Sequence, residues 1–421
     1  MPESPSVDTK ASRKTLALAD ARLCVGNTAI GPKPESWVFD KLSSNPLIFH
    51  RDRRGFFGTT WDRKLPARFT VIKIGLIIAV LTVAGFLGER VIFRPKSATG
   101  TSLSYFDYIV VIVMENKNLY QTYGNSCVGN CTFINQLANR FGIAENYSGI
   151  AHRSLPDYLT LTSGLNYSYP PFVTDCGPQV GNCTVASRNI VDSIEATHRS
   201  WRAYIEDYSG GCKGSSSDHI PGPDPFLFYR DVYYNATRCS NIATANPSHQ
   251  GYLGLPTRLL SDLNEADGTP NFMWLSPNLC DSGHNACNST SLTGSCRILV
   301  KCISQGNEYL GLLVPQILAS RTFETKNAAL FITWDEGSAG TCPGVGRTYP
   351  TCIDRVQAIF AGPHVKQDYV SDLGYSHYSF VRTLEVAWNL PSLGPLDAGA
   401  MAMTSFFQTQ SPTGVTSTEP S

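Results

Sequence analysis

The chain has 421 residues, enough for one large α/β domain with additions or for two small domains. Lys+Arg 34 against Asp+Glu 34 gives no net charge, so nothing marks a polyanion-binding surface and no nucleic-acid partner is expected. A composition that is 42% hydrophobic and 11% aromatic is that of a folded globular protein rather than a disordered one.

Residues 1–68 are polar, lack periodicity and end in basic clusters (Arg51, Arg53, Arg54, Arg63, Lys64, Arg68). They read as a cytoplasmic or leader segment without fixed structure. Residues 69–88, FTVIKIGLIIAVLTVAGFLG, are broken only by Lys73 and match the roughly 20 residues that span a bilayer. Basic residues are denser before this stretch than after it, which places the N-terminus inside and the rest of the chain outside. The pattern favours a single-pass anchor in the cell membrane. The alternative is a signal h-region behind a long leader, giving a secreted protein. Of 13 cysteines only Cys24 precedes the apolar stretch, and the even number beyond it points to disulfides in an oxidising compartment. Cysteines close in sequence are Cys127/Cys131, Cys176/Cys183, Cys287/Cys296/Cys302 and Cys342/Cys352, with connectivity open. N-x-[ST] sequons at Asn130, Asn146, Asn166, Asn182, Asn235 and Asn288 all lie beyond the stretch, consistent with a glycoprotein.

Residues 98–407 read as the catalytic domain. The β-branched run from Tyr105 to Val113 predicts a strand buried on both faces, ending at Glu115 and Asn116. Thr132 to Phe141 reads as an amphipathic helix closed by Gly142. The segment His152–Gly164, HRSLPDYLTLTSG, places Ser154 at a helix start, with Pro156 tolerated in the first turn. A serine there is either an N-cap or, beside free N–H groups that favour an anion, a hydroxyl placed to attack a phosphoryl group. Arg188–Arg199 predicts a helix, Ser200–Tyr208 a short strand, and residues 209–253 an ordered, disulfide-tied lid or substrate-facing insertion. Leu255–Ala266 predicts a helix, Phe272–Ser276 a strand, Glu308–Ser320 a helix interrupted by Pro315, and Ala328–Trp334 and Val356–Ala361 two further core strands. His377 precedes a last helix, and residues 408–421 form a Ser/Thr/Pro-rich tail expected to be disordered. Strands alternating with helices give an α/β architecture with a largely parallel central sheet flanked by helices.

Three buried strands end in polar clusters: Glu115/Asn116, Asp281/His284 and Asp335/Glu336. Carboxyl ends of parallel strands share one edge of a sheet, so the clusters converge there. Glu115, Asn116, Asp335 and Glu336 form an oxygen-rich set suited to one divalent ion, Mg, Ca or Mn, or with histidine nearby Fe or Zn. His152, His284 and His377 are candidates to protonate a leaving alkoxide, although each taken alone also suits a structural role.

The blocks VVIVMEN, HRSLPDYLTLTSG, SWRAYIED, SPNLCDSGH, ITWDEG and YSHYSFVRTLE, spread over about residues 105–392, occur in an order that resembles the phosphoesterase family. That family, within the alkaline-phosphatase-like superfamily, includes secreted acid phosphatases and phospholipases C. The resemblance implies Ser154 as nucleophile, with Glu115, Asn116, Asp335 and Glu336 holding the metal. It further implies His284 and His377 at the phosphoryl group and His152 and Asp157 in the pocket wall; Arg153, a cation next to the nucleophile, and Asp281 are further substrate-binding candidates. The HYS–RTLE and WRAYIED blocks are closer to the acid phosphatase branch. Departures are Arg153 for proline, Asp157 for asparagine, Asp281-Ser282-Gly283-His284-Asn285 for Asn-Asp-Met-His-Asp, and Pro223-Asp224-Pro225 for His-Asn-Pro. The expected activity is metal-dependent hydrolysis of a phosphate monoester through a phosphoserine. The rivals are a phospholipase C-type diesterase taking a phospholipid headgroup, and a catalytically silent surface-binding domain on the same fold.

Overall fold

A computed structural model describes residues 105–408 apart from 128, 179–182, 209, 213–223, 247–251, 288–298 and 338–354. The expected cytoplasmic segment, the apolar stretch at 69–88 and the tail beyond Gln408 lie outside the described residues. Within them no helix is long and apolar enough to cross a membrane.

One sheet carries the domain. Its strands are β1 (Tyr108–Met114), β2 (Gly142–Ser148), β3 (Trp201–Ile205), β4 (Ile242–Thr244), β5 (Phe272–Ser276), β6 (Ala328–Trp334), β7 (Arg355–Ala361), β8 (Tyr369–Ser371) and β9 (Tyr375–Ser376). The spatial order is β4-β3-β5-β1-β6-β7-β2-β8, with β9 also pairing β2. Strands β4, β3, β5, β1 and β6 run parallel, whereas β7 runs antiparallel to both β6 and β2. The sheet is therefore mixed and mostly parallel, as the alternation of elements predicts. The helices that matter below are α1 (Thr132–Arg140), α2 (Ser154–Ser163), α3 (Ile190–Ala196), α4 (Thr257–Asn264), α5 (Leu299–Leu318) and α6 (His377–Trp388).

All seven residues of β6 are buried, and β1 is buried from Ile109 onward, so both read as continuous apolar runs rather than alternating ones. Successive strand side chains point to opposite faces. Trp334 meets Ile303 and Gly306 of α5 and Ile134 of α1 around a small cavity. Phe331, an odd number of residues away, stacks on Phe380 of α6 at 4.3 Å between ring centroids. Helices thus cover both faces of the central strands.

Three expectations are corrected. Gly142 does not merely close α1: it opens β2, where a Cβ would meet the Phe406 ring at 2.6 Å, so the chain passes there only without a side chain. The 209–253 region, expected as a lid or insertion, also contributes to the sheet, since β4 adds a parallel edge strand to β3. Helix α5 starts at Leu299 rather than Glu308 and runs through Pro315. Disulfides join Cys127–Cys131, Cys176–Cys183, Cys212–Cys239 and Cys280–Cys287, so Cys287 pairs backward rather than with Cys296 or Cys302.

Phe331 lies against both Phe380 and Phe360 with no exposure, so Phe331→Ala leaves a cavity between sheet and helix. Urea unfolding is expected to show a loss of about 3–5 kcal/mol with an unchanged slope. A loss under about 1 kcal/mol would contradict this packing.

Candidate active site

The β1–β6 register pairs Met114 with Trp334, so the next residues, Glu115 and Asp335, leave the sheet side by side. The Asp335 N–H donates to the Met114 carbonyl (3.0 Å) and the Glu115 N–H to the Ser282 carbonyl (3.2 Å), which extends the ladder into the loops. Asn116 turns the chain in the left-handed region (φ 52°) and points its N–H at Asp335 Oδ1, 2.8 Å away. Asparagine tolerates that conformation better than most side chains.

Helix α2 brings Ser154 to these acids. All ten of its residues are buried although five are polar or charged. Thr160, Thr162 and Ser163 satisfy their hydroxyls on carbonyls four residues back, at 2.7–2.9 Å, so the helix is enclosed without orphaned hydroxyls. Gly164 in the left-handed conformation ends it. Before the helix, Arg153 is strained at φ 146° and its side chain forms no cap. Its N–H donates to Glu336 Oε2 at 3.0 Å, and His152 Nδ1 meets the same oxygen at 2.7 Å. A Cβ on Gly149 would stand 2.8 Å from the Asp335 carbonyl, so glycine lets this loop press against the end of β6.

The outcome is that Ser154 Oγ donates to Glu115 Oε2 (3.0 Å) and Tyr158, one helical turn on, donates to Glu115 Oε1 (2.8 Å). Burial pushes the Glu115 carboxyl up to about 7; the Tyr158 and Ser154 donors oppose the rise and the Glu336 charge adds to it. Asp335, with no exposure, is pushed well above the carboxylate range by burial and by Glu115. Its Oδ2 is buried and accepts no hydrogen bond. Lys117, also buried, bonds the Asn116 carbonyl (3.1 Å), and burial lowers its ammonium to about 8 against the pull of Asp335 and Glu115.

The other expected residues fall in different places. Asp157 is fully enclosed and accepts from the Ile150 and Ala151 N–H groups (2.7 and 3.1 Å), so its carboxylate braces the loop ahead of Ser154. His377 is also enclosed: its ring nitrogens meet the Tyr147 hydroxyl (3.0 Å) and the Asp335 carbonyl (2.6 Å). Asp281 accepts from Leu253 N–H (2.8 Å) and Asn278 Nδ2 (3.3 Å), at the β5 end near Glu206. His284 is half-buried and pairs with Asn285 Oδ1 (2.9 Å), on the loop that Ser282 ties to Glu115. Among the described residues no three His, Cys, Asp or Glu side chains gather as a complete metal shell. What converges is two carboxylates and one hydroxyl.

Tyr158, Lys117 and Tyr147 were not singled out by the sequence reading. Tyr158 had a usable signal, since it lies four residues after Ser154 on the same helix face. Lys117 directly follows the Glu-Asn pair, but an exposed lysine is the ordinary expectation.

A family model described as the phosphoesterase family matches residues 127–391. The phosphate-repressible acid phosphatase of Penicillium chrysogenum is 25% identical over 277 residues, 63% of this chain and 57% of that protein. A probable acid phosphatase of Kluyveromyces lactis is 23% identical over 369 residues, 79% of this chain and 75% of that protein. The chain thus spans little more than half the length of the Penicillium relative. A solved alkaline phosphatase superfamily protein from Vibrio parahaemolyticus aligns at TM-score 0.46 and 12% identity, over 73% of this chain and 72% of that one.

Burial disfavours the charged imidazole, so His377 is lowered from 6.5 to about 4. Its contribution to stability is present above 6.5 and is lost as the pH falls toward 4. Carbon-bound ring-proton NMR is expected to show His377 neutral at pH 5; a midpoint near the ordinary histidine value would contradict the enclosed ring.

Proposed function

The chain belongs to the phosphoesterase family, and from that premise we propose that it is a hydrolase of phosphate esters, an acid-phosphatase-type phosphomonoesterase using Ser154 as nucleophile. The carrying observation is the Ser154 Oγ–Glu115 hydrogen bond at the ends of two buried parallel strands, with the unpaired Asp335 Oδ2 beside it. Support also comes from the relatives named as acid phosphatases.

Two adjacent buried acids and a hydroxyl need a positive counter-charge. Glu115, Asp335 and Ser154, with the Asn116 amide at the edge, fit one divalent cation of the hard, oxygen-seeking kind; Mg, Ca, Mn, Fe and Zn all stay open. Such an ion would lower the pKa of the serine hydroxyl and draw charge from a phosphoryl oxygen. Glu336 is assigned a different task from the one the resemblance implies: its Oε2 holds His152 and the Arg153 N–H.

Ser154 gives its proton toward Glu115, which already accepts it, and Oγ attacks phosphorus. The Oγ–P bond forms as the ester P–O bond breaks, and the departing alkoxide takes a proton from His152 or His284. His152 is the better oriented, because Glu336 fixes its ring by Nδ1. Water then attacks the phosphoserine and regenerates Ser154 with release of phosphate. His377, enclosed behind Asp335, positions that strand end and does not touch substrate. Arg153, with its side chain 62% exposed, is assigned to meet phosphoryl oxygens, a role that its exposure and its position next to Ser154 support.

Hydrolysis of p-nitrophenyl phosphate is expected to fall about a thousandfold or more in Ser154→Ala. Asp335→Asn is expected to fall comparably and to lose binding of added Mn²⁺ in calorimetry. Full turnover by Ser154→Ala would remove the nucleophile, and unchanged ion binding by Asp335→Asn would remove the proposed ligand set.

A further inference from the structure

Helix α2 lacks a side-chain cap from its own flank, and a remote carboxylate takes that place. Asp175 Oδ1 accepts from the Leu155 N–H at 3.3 Å, and its Oδ2 stands 3.7 Å from the Arg153 guanidinium. Both partners are immediate neighbours of Ser154. The backbone that carries this carboxylate is fixed from both sides. Asp175 sits in the left-handed region (φ 49°) at the end of a short turn, Phe172–Thr174, whose buried Phe172 packs edge-on against Tyr167 at 5.1 Å. The next residue, Cys176, is tied to Cys183.

We propose that Asp175 is a specificity-determining residue that disfavours doubly charged phosphoryl groups at Ser154. The inference rests on the phosphoesterase reading and deepens it. A phosphoryl group held for attack by Ser154 shares its surroundings with Arg153, and Asp175 already sets one negative charge against that guanidinium. The pair is loose and partly exposed, with side chains 62% and 23% accessible, so it is weak enough to yield to a phosphate. An incoming monoanion takes over the guanidinium from a carboxylate that stays nearby, and so adds one charge beside it. An incoming dianion adds a second charge beside a carboxylate whose backbone a hydrogen-bonded turn and a disulfide keep in place. The favoured substrates therefore carry one charge on the transferring group, as a monoester does once protonated or a diester does throughout.

The test compares wild type with Asp175→Asn, which keeps an oxygen for the Leu155 N–H, and with Asp175→Glu, which keeps the charge. At pH 7.5, where a monoester is mostly dianionic, kcat/KM is measured for p-nitrophenyl phosphate and for its methyl diester. Removing one charge at this range is expected to raise the monoester-to-diester ratio about fivefold and to tighten inorganic phosphate inhibition by a similar factor. Asp175→Glu is expected to stay at the wild-type ratio. A ratio and inhibition constant within about twofold of wild type in Asp175→Asn, with only thermal stability lowered, would leave Asp175 as a helix cap and overturn the proposal. Calorimetric binding of inorganic phosphate needs no turnover. Wild type that neither turns over nor binds phosphate overturns the parent reading and this one together; turnover with an unchanged ratio overturns this one alone.

Discussion

The site depends on the pairing of β1 with β6. Seven consecutive register partners bring Met114 opposite Trp334, so the acids that follow share one small volume at the sheet edge. Two carboxylates do not enter a buried space without compensation. Here it comes from Ser154, Tyr158 and the Asn116 N–H, each a donor aimed at one of the two acids. Burial holds both carboxyls above their ordinary range, and Asp335 Oδ2 has no donor. A site in that condition favours a cation.

Much of the surrounding structure makes this pairing accessible to a hydroxyl. The strained Arg153, the glycine at 149 and the enclosed Asp157 all shape the six residues that deliver Ser154 to the strand ends. Strain of this kind persists only where neighbours over-determine it. The Glu336 carboxylate does so, holding His152 and the Arg153 N–H on one oxygen. The enclosed helix α2 supplies the rigid base, since its hydroxyls bond back to its own carbonyls rather than seeking water.

Strands β5 and β6 and the convergence of Glu115 with Asp335 were legible in the sequence, because in an α/β chain an apolar run that stops abruptly at acids marks the carboxyl end of a core strand. Strand β2 was not. GIAENYS alternates poorly, and the register shifts between Ala144 and Tyr147, so its pairing is decided by neighbours rather than by pattern. Strand β4 has three residues and no signal of its own. Within the site, Glu336 was placed by residue type and Asp157 by resemblance, and neither can tell a carboxylate that faces a cation from one that accepts backbone N–H groups. Asp175 lies 21 residues beyond Ser154 in a cysteine-rich loop, and only the fold returns it to the helix start.

The central claim is that Ser154, rather than water, first attacks phosphorus. The most direct measurement is the stereochemical course of phosphoryl transfer from an isotopically chiral phosphate monoester to an alcohol acceptor. Two successive in-line displacements, through Ser154 and then the acceptor, predict net retention of configuration at phosphorus. Net inversion would mean a single displacement, and Ser154 would then be a cap on a buried helix rather than the nucleophile.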